Sequence, residues 1–427
     1  MTMLKRYFII FTAFLGLSHY ASAAASTTYS YTECEGSAMP YPVPDMALRA
    51  IPDSLTPVYV NHIGRHGARF LSSGDYTASL LRYLHRADSL GTITPTGRRL
   101  MNLCHLVTER TDGRWGALDS LGMAEQRGIA SRLYSLAPAL FHNTDINAIS
   151  SYVPRCIASM DEFTHQLSRL DNRIEITTAS GRQNSPLLRP WTGDESYKSY
   201  IDSDKWHKVY SEYVDTTVPT NVAIKIMGAG YPFSKNEKKD IAMAVYKVVA
   251  GCRAMSIDPE AEQFMTLPEY NSLWSIMNMH HYLTHSASSL SSAPMDMSAA
   301  LLNELITTMD SAVNGTNRYS AMLRFGHAET LMPLFALMRL PGCYYITDNF
   351  DTVALHWLDF QVVPMAANLQ MILLRARSGK HYVRFDLNER PVPLLPGEPT
   401  LYIIPWESVR EYLTQCLPSG FLDRRGS

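Results

Sequence analysis

The sequence predicts an α/β protein, a sheet of strands alternating with helices, carrying an inserted, mostly α-helical cap domain. Three observations lead there. Strand-like apolar stretches are separated by helical spacing at both ends of the chain. The middle changes to helical segments rich in Met, Tyr and Ser and dotted with Lys. With 427 residues, 46% hydrophobic and 18% charged, there is apolar material for two domains. The division expected is an α/β domain from 24–160 and 300–427, with the helical cap over 161–299.

Taken in order, the chain begins with Lys5 and Arg6, an apolar run from Tyr7 to Leu17, and Ala21-Ser22-Ala23. That is the pattern of a signal peptide over 1–23, so an exported protein is expected, periplasmic or secreted. No later apolar run is long enough to span a bilayer, and stable membrane association is not expected. Pro57-Val-Tyr-Val60 runs as a strand into Asn61-His62-Ile63-Gly64 and delivers Arg65-His66-Gly67-Ala68-Arg69 at its exit. Leu80, Leu84 and Leu90 mark a helix, and Leu121 to Pro138 carries another. A strand over Ile146–Ser151 ends at Val153-Pro154-Arg155, and Ser320–Phe325 is a further strand, followed by Gly326-His327-Ala328-Glu329 and a helix from Thr330 to Leu340. Asn368–Leu374 and His381–Leu387 form a last strand pair. In such a sheet the ligand crevice lies at the carboxyl ends of the strands.

A formal charge of −2 excludes bulk electrostatic binding of nucleic acid, which needs a concentrated excess of Lys and Arg. A polyanion would have to be held in a local pocket. Cys34, Cys104, Cys156, Cys252, Cys343 and Cys416 form no Cys-x-x-Cys pair, and buried thiols or one or two bridges are both open.

Chemistry concentrates at Arg65-His66-Gly67-Ala68-Arg69. An imidazole between two guanidiniums is suited to attack phosphorus: neighbouring positive charge keeps the ring unprotonated, and the planar forks match phosphate oxygens. Gly67 lets the backbone approach a ligand closely.

The segment Val58-Tyr-Val-Asn-His-Ile-Gly-Arg-His-Gly-Ala-Arg69 resembles the signature of the histidine acid phosphatases, within the phosphoglycerate-mutase-like fold. It differs from the phosphoglycerate mutases themselves, where an acidic residue or Gln usually follows Arg-His-Gly. Leu121-Gly-Met-Ala-Glu-Gln126 with Arg132 is similar to that family's Gly/Gln helix. Pro154-Arg155 with Ser159 resembles its third phosphate-binding Arg, and Leu387 to Gly397 its C-terminal strand region. Most members carry His-Asp at the second catalytic position. Here it is His327-Ala328-Glu329, the pattern of the multiple inositol polyphosphate phosphatases, and Asn184-Ser-Pro-Leu-Leu-Arg189 is also similar to a segment of that subfamily.

The resemblance implies hydrolysis of inositol hexakisphosphate and lower inositol phosphates through a phosphohistidine. His66 is then the nucleophile, Arg65, Arg69, Arg155 and His327 stabilise the phosphoryl oxygens, and Glu329 is the proton donor. If His327 to Glu329 is extended, the two side chains share a side. Glu329 stands at a predicted helix N-terminus, which lowers its pKa, and a bound phosphate is expected to raise it again. Arg189 and the cap lysines Lys198, Lys205 and Lys208 are candidate substrate contacts, although a run of charge on a helix is ordinarily a solvated face. His280, His281 and His285 lack the Glu of a His-Glu-x-x-His metal site, Gly228-Ala-Gly230 lacks the third Gly of a dinucleotide loop, and neither a Gly-x-Ser-x-Gly elbow nor a Walker loop occurs. No metal and no cofactor are assigned, and the oligomeric state is left open. The rival readings are a broad-specificity acid or sugar phosphatase and a non-catalytic phosphate-binding protein, which would need the arginines but neither His66 nor Glu329.

Overall fold

The computed structural model describes residues 28–45, 50–142 and 144–422, so the expected signal peptide lies outside the described residues. After β1 (Leu55–Arg65) come α1 (Asp75–Ser89) and α2 (Pro95–Thr111). Then α3 (Ser120–Leu136) leads to β2 (Asp145–Ser150), and α4 (Pro154–Leu170) to β3 (Glu175–Ser180). A long helical excursion follows: α5 (Ser185–Leu188), α6 (Glu195–Ile201), α7 (Asp204–Thr217), α8 (Asn221–Met227), α9 (Glu237–Gly251), α10 (Leu267–His285) and α11 (Ala293–Asp296). α12 (Ala299–Val313) returns the chain to β4 (Ala321–Gly326), from which α13 (Ala328–Leu337) departs. α14 (Val353–His356) and α15 (Asp359–Val362) precede the antiparallel β5 (Asn368–Ala376), β6 (His381–Leu387) and β7 (Arg390–Val392). β8 (Ile404–Pro405) and α16 (Trp406–Cys416) complete the described chain.

The strands lie in the order β3-β2-β4-β1-β5-β6-β7, with β8 beside β6. The first four are parallel, and the chain turns antiparallel from β5 onward. β4 lies between β1 and β2, and its register sets Gly326 beside Arg65 and Phe325 beside Ser150, so three strands end level.

Alternation along the strands fills two apolar layers. Tyr59, Ile63, Leu369 and Met371 face one layer, together with Leu302, Leu331, Phe335 and Trp406 of α12, α13 and α16. Val60, Leu323, Phe325 and Ile372 face the other, with Ile129, Leu133, Met160 and Phe163 of α3 and α4. His62 belongs to this second face, against Phe163 and Phe325, and burial holds its ring neutral, with a pKa down at about 3.

Two boundaries differ from the sequence reading. The segment 161–299 is not purely a helical cap: most of α4 covers the sheet, and β3 extends it in parallel with β2. This edge strand, Glu175-Ile-Thr-Thr-Ala-Ser180, exposes most of its side chains and so carries little apolar signal. Conversely, α1 and α2 belong to the helical layer. Their Leu80, Leu84, Leu100 and Cys104 pack with Val222, Ile226, Ile241 and Val245 of α8 and α9. α2 has clear local causes: Thr94 caps it by accepting from Gly97 N at 3.0 Å, Pro95 opens it, and Leu100, Cys104 and Val107 line one face. All six cysteines are buried and free. No helix among the described residues is long and apolar enough to cross a membrane.

Candidate active site

The level strand ends create the site. His66 follows β1 and donates its backbone N–H to the Gly326 carbonyl at 3.1 Å, while Ser151, one step beyond β2, donates to Phe325 at 2.9 Å. Residues distant in sequence, His66, Ser151 and His327, are thereby brought together by main-chain pairing alone.

The loop after β1 is clamped from two helices. Gly67 N–H donates to Ser159 Oγ of α4 at 3.1 Å and Ala68 N–H to Glu125 Oε2 of α3 at 2.7 Å. Gln126 Nε2 donates to the Arg65 carbonyl at 3.0 Å. Gly122, Glu125 and Gln126 are spaced i, i+3 and i+4, so one face of α3 meets the loop.

His66 is buried, and its Nδ1 lies 2.9 Å from its neighbour's carbonyl, Gly67 O. A carbonyl only accepts, so Nδ1 carries the proton and Nε2 keeps its lone pair. Burial first, then the charges of Arg65, Arg155 and Arg69, hold the ring well below the ordinary histidine pKa. Arg65 is fixed by donating from Nη1 to the carbonyls of Ser37 and Val363 at 2.5 and 2.6 Å. Burial lowers Arg65 to about 10 and Arg69 to about 9, still charged at neutral pH. The buried Nε atoms of Arg65, Arg69, Arg155 and Arg189 have no hydrogen-bond partner among the described residues. Buried guanidinium donors left without a protein partner are available to an anion.

His327 accepts from Arg155 Nη2 at Nδ1 (3.3 Å) and donates from Nε2 to Ser151 Oγ (3.0 Å). Its ring meets that of His66 edge-on, centroids 5.9 Å apart. Burial lowers it to about 3, with Arg155 and Arg189 working in the same direction. Glu329 is not on an extended segment with His327. The strand stops at Gly326, His327 is the extended N-cap, and α13 begins at Ala328, so Glu329 lies in the first helical turn. Burial acts to raise the Glu329 carboxyl, but His285, His327 and Arg65 outweigh it and hold the group below the usual carboxylate range. His285, anchored to Tyr197 OH at 3.1 Å, brings the helical layer to this point.

Arg189 lies one ring further out, over Tyr152 and Trp191 at 4.9 and 5.2 Å, and Trp191 meets His327 edge-on at 5.6 Å. The cap lysines do not join this cluster. Lys198 is paired with Glu195 at 2.8 Å, Lys205 lines a shallow groove with Glu195 and Tyr200, and Lys208 is exposed on α7. Arg132 is occupied elsewhere, binding the fully buried Glu389 through Nε at 2.9 Å and through Nη2. Sequence reasoning passed over Lys247, which lines a cavity with Arg69. The available signal was a lysine in the second half of α9 whose neighbours Val245, Tyr246, Val248 and Val249 are all buried.

No family model matches the chain. Over 411 residues it is 23% identical to multiple inositol polyphosphate phosphatase 1 of Homo sapiens, across 85% of this chain and 80% of that protein. The solved structure of Bifidobacterium longum multiple inositol polyphosphate phosphatase with inositol hexasulfate matches with a TM-score of 0.76 at 18% identity. The match covers 91% of this chain and 99% of that one. The phytase from D. castellii matches with a TM-score of 0.72 at 16% identity, over 95% and 90%. The structural likenesses establish the fold, and the sequence match runs along the same length. Along most of its length, in sequence and in fold, the chain is thus similar to multiple inositol polyphosphate phosphatases and, in fold, to a phytase.

Proposed function

We propose that the protein hydrolyses phosphomonoesters of inositol, from inositol hexakisphosphate downward, through a phosphohistidine on His66. The observation that carries this reading is the bond from His66 Nδ1 to Gly67 O, which leaves Nε2 unprotonated beside Arg65, Arg69 and Arg155. A phosphate seated on those guanidiniums presents phosphorus to Nε2. The Nε2–P bond forms as the P–O bond to the inositol oxygen breaks, and the arginines and His327 stabilise the equatorial oxygens. The departing alkoxide takes the proton of Glu329. Its neighbours hold Glu329 as a carboxylate, and the approaching dianion raises its pKa so that it binds the proton it later gives up. Water then attacks the phosphohistidine, with Glu329 as base, and releases inorganic phosphate.

Rapid quench with labelled inositol hexakisphosphate tests the reading: an acid-labile phosphoenzyme is expected in the wild type and not in His66→Ala. A mutant that keeps full turnover overturns it. The export reading stands beside it, supported by Lys5, Arg6, the apolar run and Ala21-Ser22-Ala23. N-terminal sequencing of protein recovered outside the cytoplasm, expected to start at Ala24, tests that.

A further inference from the structure

The guanidiniums around His66 seat one phosphate, yet a polyphosphorylated ring brings others into the cleft with it. A cavity of about 300 Å³ opens on Arg69 and is walled by Tyr76 of α1, Lys247 of α9 and His281 of α10. Lys247 Nζ is held 2.5 Å from Tyr76 OH and 4.3 Å from the centroid of that ring, and no carboxylate pairs with it among the described residues. A cation kept in place by an aromatic ring, with its charge uncompensated, is free to meet an anion entering the cavity.

His281 is positioned differently. Its Nδ1 lies 2.9 Å from Asp359 Oδ2, and Asp359, 1% exposed, also accepts from Trp274 Nε1 at 2.9 Å and from Ser37 N at 3.1 Å. Asp359 is therefore fully engaged and holds the imidazole in one orientation, with Nδ1–H as its donor. The other nitrogen, Nε2, has no partner among the described residues. With both nitrogens carrying hydrogen, the ring paired with Asp359 presents Nε2–H as a second donor for an anion. Glu35 borders the same cavity, but its carboxyl is paired with Arg253 Nε at 2.9 Å, and burial pushes its pKa up to about 8.

We propose that Lys247 and His281 together seat a second, non-reacting phosphate of a polyphosphorylated substrate while the first is held at His66. This rests on the reading of the protein as an inositol polyphosphate phosphatase and adds to it a pair of residues that select substrates bearing more than one phosphate.

The test compares kcat/KM for inositol hexakisphosphate with kcat/KM for p-nitrophenyl phosphate, which has one phosphate, in the wild type, Lys247→Met and His281→Asn. The ratio is expected to fall at least about tenfold in each variant, the size of one lost charge-assisted hydrogen bond, through KM for the hexakisphosphate. Lys247→Arg is expected to restore most of it. A parallel measurement with inositol hexasulfate as inhibitor is expected to show Ki raised by a similar factor. Ratios within twofold of wild type in both variants overturn the proposal while leaving the hydrolase reading intact. A wild type that hydrolyses the monoester but not the hexakisphosphate overturns the substrate reading, and the second seat with it.

Discussion

Gly67 and Gly122 meet backbone to backbone: a Cβ on Gly67 would overlap the carbonyl group of Gly122, and a Cβ on Gly122 would overlap the carbonyl oxygen of Ala68. Both obstacles are main chain, which no side-chain rotation can move aside. α3 approaches the loop this closely only because neither position carries a side chain, and the closeness brings Glu125 to Ala68 N–H and Gln126 to the Arg65 carbonyl. Gly122→Ala is therefore expected to destabilise by about 1–3 kcal/mol through overpacking and to lower kcat/KM by about 10²-fold through displacement of His66. Denaturant unfolding and turnover, measured on the same preparation, check both. A variant that keeps turnover while losing stability would separate the packing of α3 from the placement of His66.

In the proposed mechanism Glu329→Gln removes the donated proton without removing the side chain. Turnover of inositol phosphates should fall by about 10²–10⁴-fold with KM changed only a fewfold. A nitrophenolate leaves without a proton, so p-nitrophenyl phosphate should lose far less. Equal losses on both substrates would assign Glu329 a role other than acid.

Stability should depend steeply on acidity. His62, His280 and His327 are held at about 3, His285 at about 4 and His66 well below its ordinary value, in every case with burial as the largest cause. Unfolded, each ring takes a proton near 6.5; folded, it does not. Their contribution is thus present above about 6.5 and is lost as pH falls toward 3–4, at up to about 1.4 kcal/mol per pH unit for each ring. Glu35 and Glu125 run the other way: raised by burial to about 8 and about 7, they contribute below the ordinary carboxylate pKa and lose that contribution as pH rises through 7–8. Five rings against two carboxyls decide the sign, so the melting temperature should climb between pH 4 and 6.5. Added inositol hexasulfate should flatten the climb if the bound anion stabilises a protonated histidine. A melting temperature constant across that interval would contradict the burial of these rings.

Arg132 and Glu389 tie α3 to the turn between β6 and β7, with Glu389 wholly buried. Arg132→Met strands a buried carboxylate and should cost about 3–5 kcal/mol of stability. Because the pair is separate from the His66 cluster, kcat/KM measured at a temperature where the variant is folded should stay within about threefold of wild type. Differential scanning calorimetry together with initial rates tests this.

The parts of the site that the sequence made legible are those fixed by short-range chemistry. Arg65 to Arg69 follow a strand that alternates cleanly, and the glycines and charges at its exit have few other uses. His327 and Arg155 were readable because each also follows a strand end. Glu329 was identified by resemblance, and the local argument for it was wrong. A helix starting at Ala328, rather than continued extension, sets its direction. The edge strand β3 was missed because a strand with most of its residues in solvent has no apolar period to read. The membership of α1 and α2 in the helical layer was invisible for a different reason. An amphipathic face shows that a helix is covered, but not by which partner. The cap lysines were chosen for charge alone, and charge does not distinguish Lys198, spent on Glu195, from Lys247, which has no carboxylate partner among the described residues and borders Arg69.

The insertion of β4 between β1 and β2 has a consequence for how the chain acquires its shape. A ribosome delivers β1, β2 and β3 long before residue 321, yet β1 and β2 never touch as neighbours, and the slot separating them stays vacant until β4 emerges. Until then two strands display unsatisfied main-chain edges that invite pairing with the wrong partner. Closing the slot spans more than a hundred residues of intervening helix, the kind of distant pairing that makes maturation slow. Chaperone dependence, and refolding yields that fall as concentration rises, are the corresponding signatures.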